Sequence, residues 1–361
     1  LVEASTGTVI ASAARRVGIS FPASGWVEQD AEDIWSATEA AIDEVLTSAG
    51  DPTLAGITIS NQRESVAIWD ESGHAIGPVL GWQDARTADA CQALIAAEPD
   101  LTATVRTRTG LDLDAMFSAP KMRWLLDSIA GSARATVGTI DTFLVHRITG
   151  EKSAEAGNAS RTLLLDLATQ TWDPELADLF GIPLAALAPI ARSHAEVGRS
   201  LPGGRLPAGV PVLAVLADSH SALFHHSGGR AGEGKATFGT GSSVMVAAAT
   251  ADPAPSGIAA TLAWLTDAPA FAREGNIVAS GAALTWMAQL LTGGDVIALG
   301  ELAATVEPNL AFVPAFTGLG APYFDRGARG VIAGITGATT GADLARSAFE
   351  AVAHQVSDVV E

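Results

Sequence analysis

Apolar residues along the chain recur at two spacings, one typical of helices and one of strands. A clear helix is predicted after Asp30, which can act as its N-cap, with Asp33 in the first turn. Its apolar stripe consists of Ile34, Ala37, Ala41, Ile42 and Val45. The segment Gly50-Asp51-Pro52 ends this helix. Further helices are predicted after Pro120 and over residues 344–360, where apolar positions repeat at helical spacing.

Shorter apolar runs bounded by turn residues predict strands. Two short strands are predicted within residues 1–16, around the turn Ser5-Thr6-Gly7-Thr8, and others at residues 54–60 and 66–69. Residues 210–217 are wholly apolar, which predicts a buried strand with both faces covered. Strands and helices thus alternate, and the fold class predicted is α/β.

The second half of the chain begins with a predicted pair of strands. Residues 235–246 form two strand-like runs joined at Gly239-Thr240-Gly241. Small flexible residues at Ser227-Gly228-Gly229 separate this pair from the buried strand before it. A chain of 361 residues is long for a single core. We therefore predict two domains, residues 1–227 and residues 228–361.

Composition limits the kinds of partner that the protein can have. The formal net charge is −19, and such an acidic surface repels nucleic acid and anionic lipid. No apolar run approaches the roughly 20 residues of a membrane span. The single cysteine, Cys91, fits a reducing compartment. We expect a cytoplasmic protein with neither nucleic-acid nor membrane partners, and its oligomeric state, including a homo-oligomer, stays open.

Asp218 is the first candidate for chemistry, because it directly follows the apolar run 210–217. Ligand-facing groups in α/β proteins lie at the carboxyl ends of strands. One interpretation is a general base that accepts a hydroxyl proton during phosphoryl transfer. The other is an ordinary helix N-cap.

A polar loop at residues 60–65 separates two apolar strands. Arg63 offers a planar fork of donors and Glu64 offers acceptors, which suits the neighbouring hydroxyls of a polyol. A solvated hairpin with a surface ion pair is the alternative. Trp82 has the ring to stack against the carbon chain of a substrate, although a core position is the default for tryptophan.

Small residues in the second half are candidates for phosphate binding. The backbone N–H groups of Gly239-Thr240-Gly241 can approach phosphate oxygens closely, whereas an ordinary β-hairpin explains the same turn. Gly281 can admit a nucleotide near a helix start, or it can serve helix packing. The histidines 220, 225 and 226 have no cysteine or carboxylate at zinc spacing, so we predict no metal site there.

The order of these motifs is more specific than any one of them. The chain resembles the FGGY family of carbohydrate kinases, and within it the glycerol kinases. The resemblance covers essentially the whole chain from residue 25 onward. It rests on residues 61–65 (Asn-Gln-Arg-Glu-Ser), 82–87 (Trp-Gln-Asp-Ala-Arg-Thr), 117–124, 158–162, Asp218, 237–241 (Thr-Phe-Gly-Thr-Gly), 312–316, 328–336 and 348–351.

The resemblance implies a ribonuclease-H-like (actin-like ATPase) fold with two domains around a cleft. It also implies ATP and Mg²⁺ as cofactors and a small polyol or sugar as substrate, and it assigns no metal ligand in the protein. Asp218 is then the catalytic base. The residues implied to bind substrate are Arg63, Glu64, Trp82 and Ser219, and those implied to bind nucleotide are Gly239, Thr240, Gly241 and Gly281.

Three departures from the glycerol kinase pattern bear on the substrate. Met116 replaces a tyrosine, Ser219 replaces a glutamine beside the base, and Ser243 replaces a pocket aromatic. These changes predict a larger and differently polar cavity. They favour a longer polyol, such as a tetritol or pentitol, or a ketose, over glycerol.

Both ends of the sequence are expected to be incomplete. By resemblance, a first phosphate loop should precede Leu1 and an adenosine-binding segment should follow Glu361. We therefore expect the full-length protein to be active and this 361-residue piece alone to be impaired. The rival functions are a ketopentose kinase of the same family, a non-catalytic binding member of the superfold and, less favoured, a chaperone-like ATPase.

Overall fold

The structure is a computed structural model that describes residues 1–98, 100–130, 134–252, 254, 257–316, 318–325 and 327–360. It divides into two compact units. The first unit comprises Leu1–Ala222 and Thr261–Phe271, and the second comprises Leu223–Ala260 and Ala272–Glu361. The boundaries between the units fall at residues 222/223, 260/261 and 271/272. The division into residues 1–227 and 228–361 stays a prediction.

The strands of the first unit form several small sheets. They are β1 (Glu28–Gln29), β2 (Ile57–Asn61), β3 (Val66–Trp69), β4 (Val79–Leu80), β5 (Thr136–Thr139), β6 (Ala154–Glu155), β7 (Leu165–Asp166), β8 (Thr171–Trp172), β9 (Ile190–Ala191) and β10 (Val212–Ala217). An antiparallel sheet has the order β1-β4-β3-β5, and β2 pairs in parallel with β10. The pairs β6-β9 and β7-β8 are parallel and antiparallel respectively.

The helices of the first unit cover these sheets. They are α1 (Ala31–Ser48), α2 (Ala88–Ala97), α3 (Leu101–Thr109), α4 (Ser118–Leu125), α5 (Ile140–Thr149), α6 (Ala156–Ala159), α7 (Pro174–Leu179) and α8 (Asp218–Ser227), the last of which runs into the second unit. Leu126–Ala130 continues α4 as a π-helical turn, and Leu184–Ala186 is a 3₁₀ turn.

Helix α5 joins the two main sheets because it is apolar on two sides. Phe143 lies in one cluster with Trp69 of β3, whereas Val145 and Ile148 lie in another with Val215 of β10. A helix that is hydrophobic around most of its circumference must be buried. The first unit therefore has its core on both sides of α5.

Local signals predicted several elements well. Helix α1 begins after Asp30, whose Oδ1 accepts hydrogen bonds from the backbone N–H groups of Glu32 (2.8 Å) and Asp33 (3.2 Å). Strand β3 has the predicted bounds and is wholly buried. The helix predicted after Pro120 instead begins at Ser118, since proline fits the first turn of a helix.

Two strand predictions need correction. Residues 1–16 contain a single β-bridge, between Val2 and Val9, and no strand, because the rest of the segment has no neighbouring strand to pair with. Strand β10 is not wholly buried: Leu213 is 40% exposed and Ala214 and Leu216 are half-buried, while Val212 and Val215 lie in a buried cluster with residues of α5.

The second unit contains a sheet and a helical layer. Its strands are β11 (Gly234–Phe238), β12 (Ser242–Ala248), β13 (Ala259–Leu265), β14 (Pro269–Ile277), β15 (Ala311–Val313) and β16 (Val331–Ala333), and β13 and β14 contain the unit boundaries. The sheet order is β11-β12-β14-β13, and β15 pairs with β16. The helices are α9 (Gly281–Leu291), α10 (Val296–Ala303) and α11 (Gly341–Val360).

The three helices of the second unit share one core. Met287 of α9, Leu299 of α10 and Ala348 of α11 belong to the same buried cluster. The helix predicted over residues 344–360 is confirmed, with its start at Gly341. Within the described part of the chain, no single helix has the length and hydropathy to cross a membrane. Helices α9 and α10 have that length and hydropathy only when taken together, and the chain bends by 85° between them.

Candidate active site

Two parallel strands of the first unit bring the principal candidates to one edge. Asn61, the last residue of β2, is the register partner of Ala217, the last residue of β10. Asp218 and the loop 62–65 therefore leave the sheet side by side. The carboxyl edge of a parallel sheet is where α/β proteins bind ligands.

Asp218 is exposed and is not a helix cap. It is the first residue of α8, and its Oδ1 accepts from the N–H of the adjacent Ser219 at 2.5 Å. A capping side chain accepts instead from the second or third N–H of the helix. Its Oδ2 accepts no hydrogen bond from the described residues, so this oxygen is available to a ligand. The side chain of Ser219 is partly exposed beside it.

Arg63 and Glu64 form a buried pair and not a solvated hairpin. They are 8% and 5% exposed, and the strands that flank them pair with other strands and not with each other. Glu64 has a φ of +58°, a conformation that is uncommon for residues other than glycine and that recurs at functional sites. Its Oε1 lies 2.6 Å from Nε of the buried Arg161 and 3.8 Å from Nε of Arg63. The carboxylate is thus fixed as an acceptor.

Trp82 lies at the surface of the first unit, next to this loop. The residue is 44% exposed, which argues against the default core position. Its backbone N–H donates to Oγ of Ser65 (3.1 Å), and the turn that contains it is closed by the N–H of Asp84 donating to the carbonyl of Gly81 (3.0 Å). The structure therefore brings Trp82 and the Arg63-Glu64 loop together.

A buried cluster around Arg86, which the sequence did not indicate, supports the Trp82 turn. Arg86 has a side chain only 1% exposed and donates through Nε to Oδ1 of Asp84 (2.9 Å) and through Nη2 to Oε1 of Glu28 (2.7 Å). Its guanidinium carbon lies 3.7 Å from the ring centroid of Trp26 and 4.5 Å from that of Trp124. Such stacking suits arginine and not lysine.

A buried polar chain, also unforeseen, supports the end of β2. Nδ2 of Asn61 donates to Oδ1 of Asn158 (2.9 Å), and Nδ2 of Asn158 donates to Oε2 of Glu155 (3.0 Å). Glu155 also accepts from Oγ of Ser193 (2.5 Å) and from the N–H of Gly157 (2.8 Å). Burial raises the pKa of Glu155 to about 7, although these hydrogen bonds favour the charged form.

In the second unit, the predicted strand pair is confirmed as a hairpin of β11 and β12 joined by Gly239–Gly241. The carbonyl of Gly239 accepts from the N–H of Gly281 (3.0 Å), and the carbonyl of Thr240 accepts from the N–H of Ala282 (2.9 Å). The loop is thereby held against the start of α9. A Cβ on Gly281 would lie 2.3 Å from the carbonyl oxygen of Gly239, so only glycine permits this approach.

The same loop lines a cavity of about 530 Å³. The N–H groups of Thr240 and Gly241 and the hydroxyl of Thr240 donate to no acceptor among the described residues. Small side chains and unused donors suit an anionic group. Six residues line the cavity: Gly239, Thr240, Gly281, Ala282, Thr285 and Trp286. The sequence indicated the first three of them.

Neither unit contains a metal cluster in its described residues, since no three His, Cys, Asp or Glu side chains converge there. The histidines near α8 differ in setting: His220 is buried, whereas His225 and His226 are exposed, with ring centroids 5.2 Å apart.

Comparison with known proteins identifies the family. Residues 1–225 match the N-terminal domain of the FGGY family of carbohydrate kinases, and residues 234–361 match its C-terminal domain. The chain is 40% identical to apulose kinase of Pectobacterium atrosepticum and 41% identical to glycerol kinase of Thermus brockianus. These alignments cover 98% of this chain and 73% and 74% of those proteins.

Solved structures give the same answer. The glycerol kinase of Plasmodium falciparum with ADP matches with a TM-score of 0.91 and 26% identity over 98% of this chain and 73% of that one. The xylulose kinase of Rhodospirillum rubrum matches with a TM-score of 0.83 and 28% identity over 95% of this chain and 72% of that one. The predicted actin-like ATPase fold is confirmed. The chain belongs to the FGGY family of carbohydrate kinases, enzymes that transfer a phosphoryl group to a hydroxyl of a sugar or polyol.

Proposed function

We propose that Asp218 is the general base of this kinase and removes the proton from the acceptor hydroxyl as the γ-phosphoryl group of ATP is transferred. The observation that carries this proposal is the free Oδ2 of Asp218 at the carboxyl edge shared by β2 and β10. A base must reach the proton that it accepts, and an exposed carboxylate beside a polar loop meets that condition. The hydroxyl proton passes to Asp218 and the acceptor oxygen forms a bond to the γ-phosphorus, while the bond from that phosphorus to the β–γ bridging oxygen breaks and ADP leaves.

The acceptor site consists of residues around this carboxylate. Glu64 accepts hydrogen bonds from hydroxyls, Arg63 donates to them, and the exposed ring of Trp82 contacts the carbon chain. Ser219 contributes a small polar wall next to the base. Because Glu64 is held by Arg161, its geometry is set before the substrate arrives.

The nucleotide site lies in the second unit. The unused N–H groups of Thr240 and Gly241 suit phosphate oxygens, and the glycines at 239 and 281 allow close approach. Mg²⁺ prefers oxygen ligands and is usually held by one or two carboxylates together with substrate phosphates, so it would enter with the nucleotide. When bound, it neutralises charge on the β- and γ-phosphates. Residues 1–227 thus bind the acceptor, and residues 228–361 bind the nucleotide. The single cysteine, Cys91, is buried and favours a cytoplasmic location.

The acceptor is a polyol longer than glycerol or a ketose. Met116, Ser219 and Ser243 replace larger or differently polar groups of the glycerol kinase pattern, and the hydroxyl of Ser243 donates to Oε1 of the buried Glu274 (2.8 Å). The relatives leave both classes open, because an apulose kinase and a glycerol kinase match equally well. A ketopentose kinase is therefore the second candidate.

A substrate panel tests this proposal. The full-length protein is assayed with ATP on glycerol, tetritols, pentitols and ketopentoses, with Asp218→Asn as control. We expect turnover on one of the longer acceptors that collapses in Asp218→Asn. Strong preference for glycerol would refute the larger-acceptor assignment, and full activity of Asp218→Asn would refute the assignment of the base. ATP binding without turnover on any acceptor would favour a non-catalytic binding protein.

A further inference from the structure

A lysine of α4 is buried directly behind the acceptor site. Lys121 has no exposed surface, and its Nζ donates to the carbonyl of Met116 (2.6 Å) and to that of Gly81 (3.3 Å). Lysine is almost never fully buried, because removing an ammonium group from water is costly. A buried ammonium that is kept between two carbonyls needs an explanation beyond packing.

Each of those carbonyls belongs to a segment that meets the acceptor loop. The Gly81 carbonyl also accepts from the N–H of Asp84 (3.0 Å), which closes the turn that presents Trp82. The N–H of Trp82 in turn donates to Oγ of Ser65, the residue after Glu64. Lys121 therefore supports the Trp82 turn, and the Trp82 N–H joins that turn to the acceptor loop.

The second carbonyl fixes the segment that carries Met116. The N–H of Met116 donates to Oδ1 of Asp114 (2.8 Å), and Oγ of the nearby Ser118 donates to the carbonyl of Glu64 (3.2 Å). The ammonium group of Lys121 donates to the carbonyl of Met116 and so holds the other side of this peptide segment. The Trp82 turn, the Met116 segment and the Glu64 backbone are thus joined in one network of which Lys121 is the centre.

The charge of Lys121 is maintained by its surroundings. Burial lowers its pKa to about 8, while the carboxylates of Glu64, Asp84 and Asp114 and the Cys91 thiol act in the opposite direction. Glu64 also faces two guanidinium groups, since its Oε1 lies 2.6 Å from Nε of Arg161 and 3.8 Å from Nε of Arg63. Near neutral pH the ammonium is therefore charged, and its hydrogen bonds are of the stronger, charge-assisted kind.

We propose that Lys121 is a positioning residue for the acceptor: its ammonium group holds the Gly81 and Met116 carbonyls so that Trp82, Met116 and Glu64 keep one fixed arrangement around the substrate. This inference rests on the proposed assignment of Trp82 and Glu64 to the acceptor site. It goes beyond that assignment because Lys121 contacts no ligand itself and acts through the two carbonyls.

The test replaces Lys121 by methionine, which has a similar length and no donor. In the full-length protein, Lys121→Met should raise KM for the best acceptor about tenfold, the effect of losing one charge-assisted hydrogen bond, with KM for ATP unchanged. The exposed Lys152→Met is the control and should change neither constant. A folded Lys121→Met enzyme whose acceptor KM is unchanged, or whose two KM values rise together, would overturn the inference.

A second measurement uses the wild-type enzyme and needs no folded Lys121 variant. Its acceptor KM should rise as the pH passes about 8, where Lys121 loses its proton, while KM for ATP stays level. Cys91→Ala should keep this rise, which separates the lysine from the neighbouring thiol. A level acceptor KM across this range would overturn the inference. The assignment of the base is judged separately, by Asp218→Asn.

Discussion

The contact between Gly281 and Gly239 gives the sharpest prediction for the nucleotide site. In Gly281→Ala the new Cβ would lie 2.3 Å from the carbonyl oxygen of Gly239. An ordinary contact of this kind needs more than 3 Å, so the loop 239–241 must move away from the start of α9 by close to an ångström. The Gly281 N–H would then lose its bond to Gly239, and the Ala282 N–H its bond to Thr240.

The size of the effect follows from that displacement. A misplacement of about 1 Å at a reacting group costs roughly a hundredfold in rate. Because this displacement affects phosphate donors and not the reacting hydroxyl, we expect KM for ATP to rise at least about tenfold and the acceptor KM to stay level. Overpacking in a tight contact also costs about 1–3 kcal/mol of the free energy of unfolding.

The assay is initial-rate kinetics of the full-length protein with ATP varied at saturating acceptor, and then the reverse. The control is Gly337→Ala, since Gly337 has no atom within 4 Å of its would-be Cβ and a backbone that alanine accepts. Thermal unfolding of both variants shows whether they are folded at the assay temperature. A folded Gly281→Ala enzyme with an unchanged KM for ATP would refute the assignment of this loop to the nucleotide.

Three further predictions concern buried charge in the first unit. Arg86→Lys should lower the free energy of unfolding by about 3 kcal/mol in denaturant titrations, because lysine cannot keep the fork to Asp84 and the stacking on Trp26, and equal stability would contradict the cluster's role. Glu64→Gln should raise the acceptor KM and destabilise the fold by a similar amount, about 3 kcal/mol, as Arg161 loses its carboxylate partner; an unchanged acceptor KM would exclude Glu64 from the site. Glu155 binds its proton more tightly in the folded state, with a pKa of about 7 against an ordinary 4.5, so its contribution to stability is present below pH 4.5 and is lost as the pH rises through 7. Glu155→Gln should flatten this fall, which amounts to at most about 1.4 kcal/mol per pH unit, while the exposed Glu151→Gln should keep it, and equal slopes would show that Glu155 does not titrate in this way.

The elements predicted from sequence were those whose signals are local. The capping side chain of Asp30 predicts the start of α1, and the small residues 239–241 predict the turn of the β11-β12 hairpin. The strands predicted in residues 1–16 did not form, because alternation becomes a strand only where another strand supplies hydrogen bonds. The incomplete burial of β10 depended likewise on which elements pack against it.

Some residues of the candidate site could likewise be predicted from local sequence, and others could not. Asp218, Arg63 and Glu64 stood out because polar residues directly follow apolar runs. Lys121, Arg86 and Glu155 did not, since a charged residue in an amphipathic segment is normally solvated. Only residues distant in the sequence, such as Gly81 for Lys121 and Trp26 for Arg86, reveal that these side chains are buried. The left-handed backbone of Glu64 and the approach of Gly281 to Gly239 are likewise set by tertiary structure.

The most direct measurement of the central claim is kcat of Asp218→Asn in the full-length protein, on the best acceptor of the panel, with Ser219→Ala as the neighbouring control. A general base contributes about 10²–10⁴-fold, so we predict a loss of kcat in that range for Asp218→Asn, with ATP still bound, and a far smaller loss for Ser219→Ala. An Asp218→Asn enzyme with kcat close to the wild-type value would contradict the claim that this carboxylate accepts the hydroxyl proton.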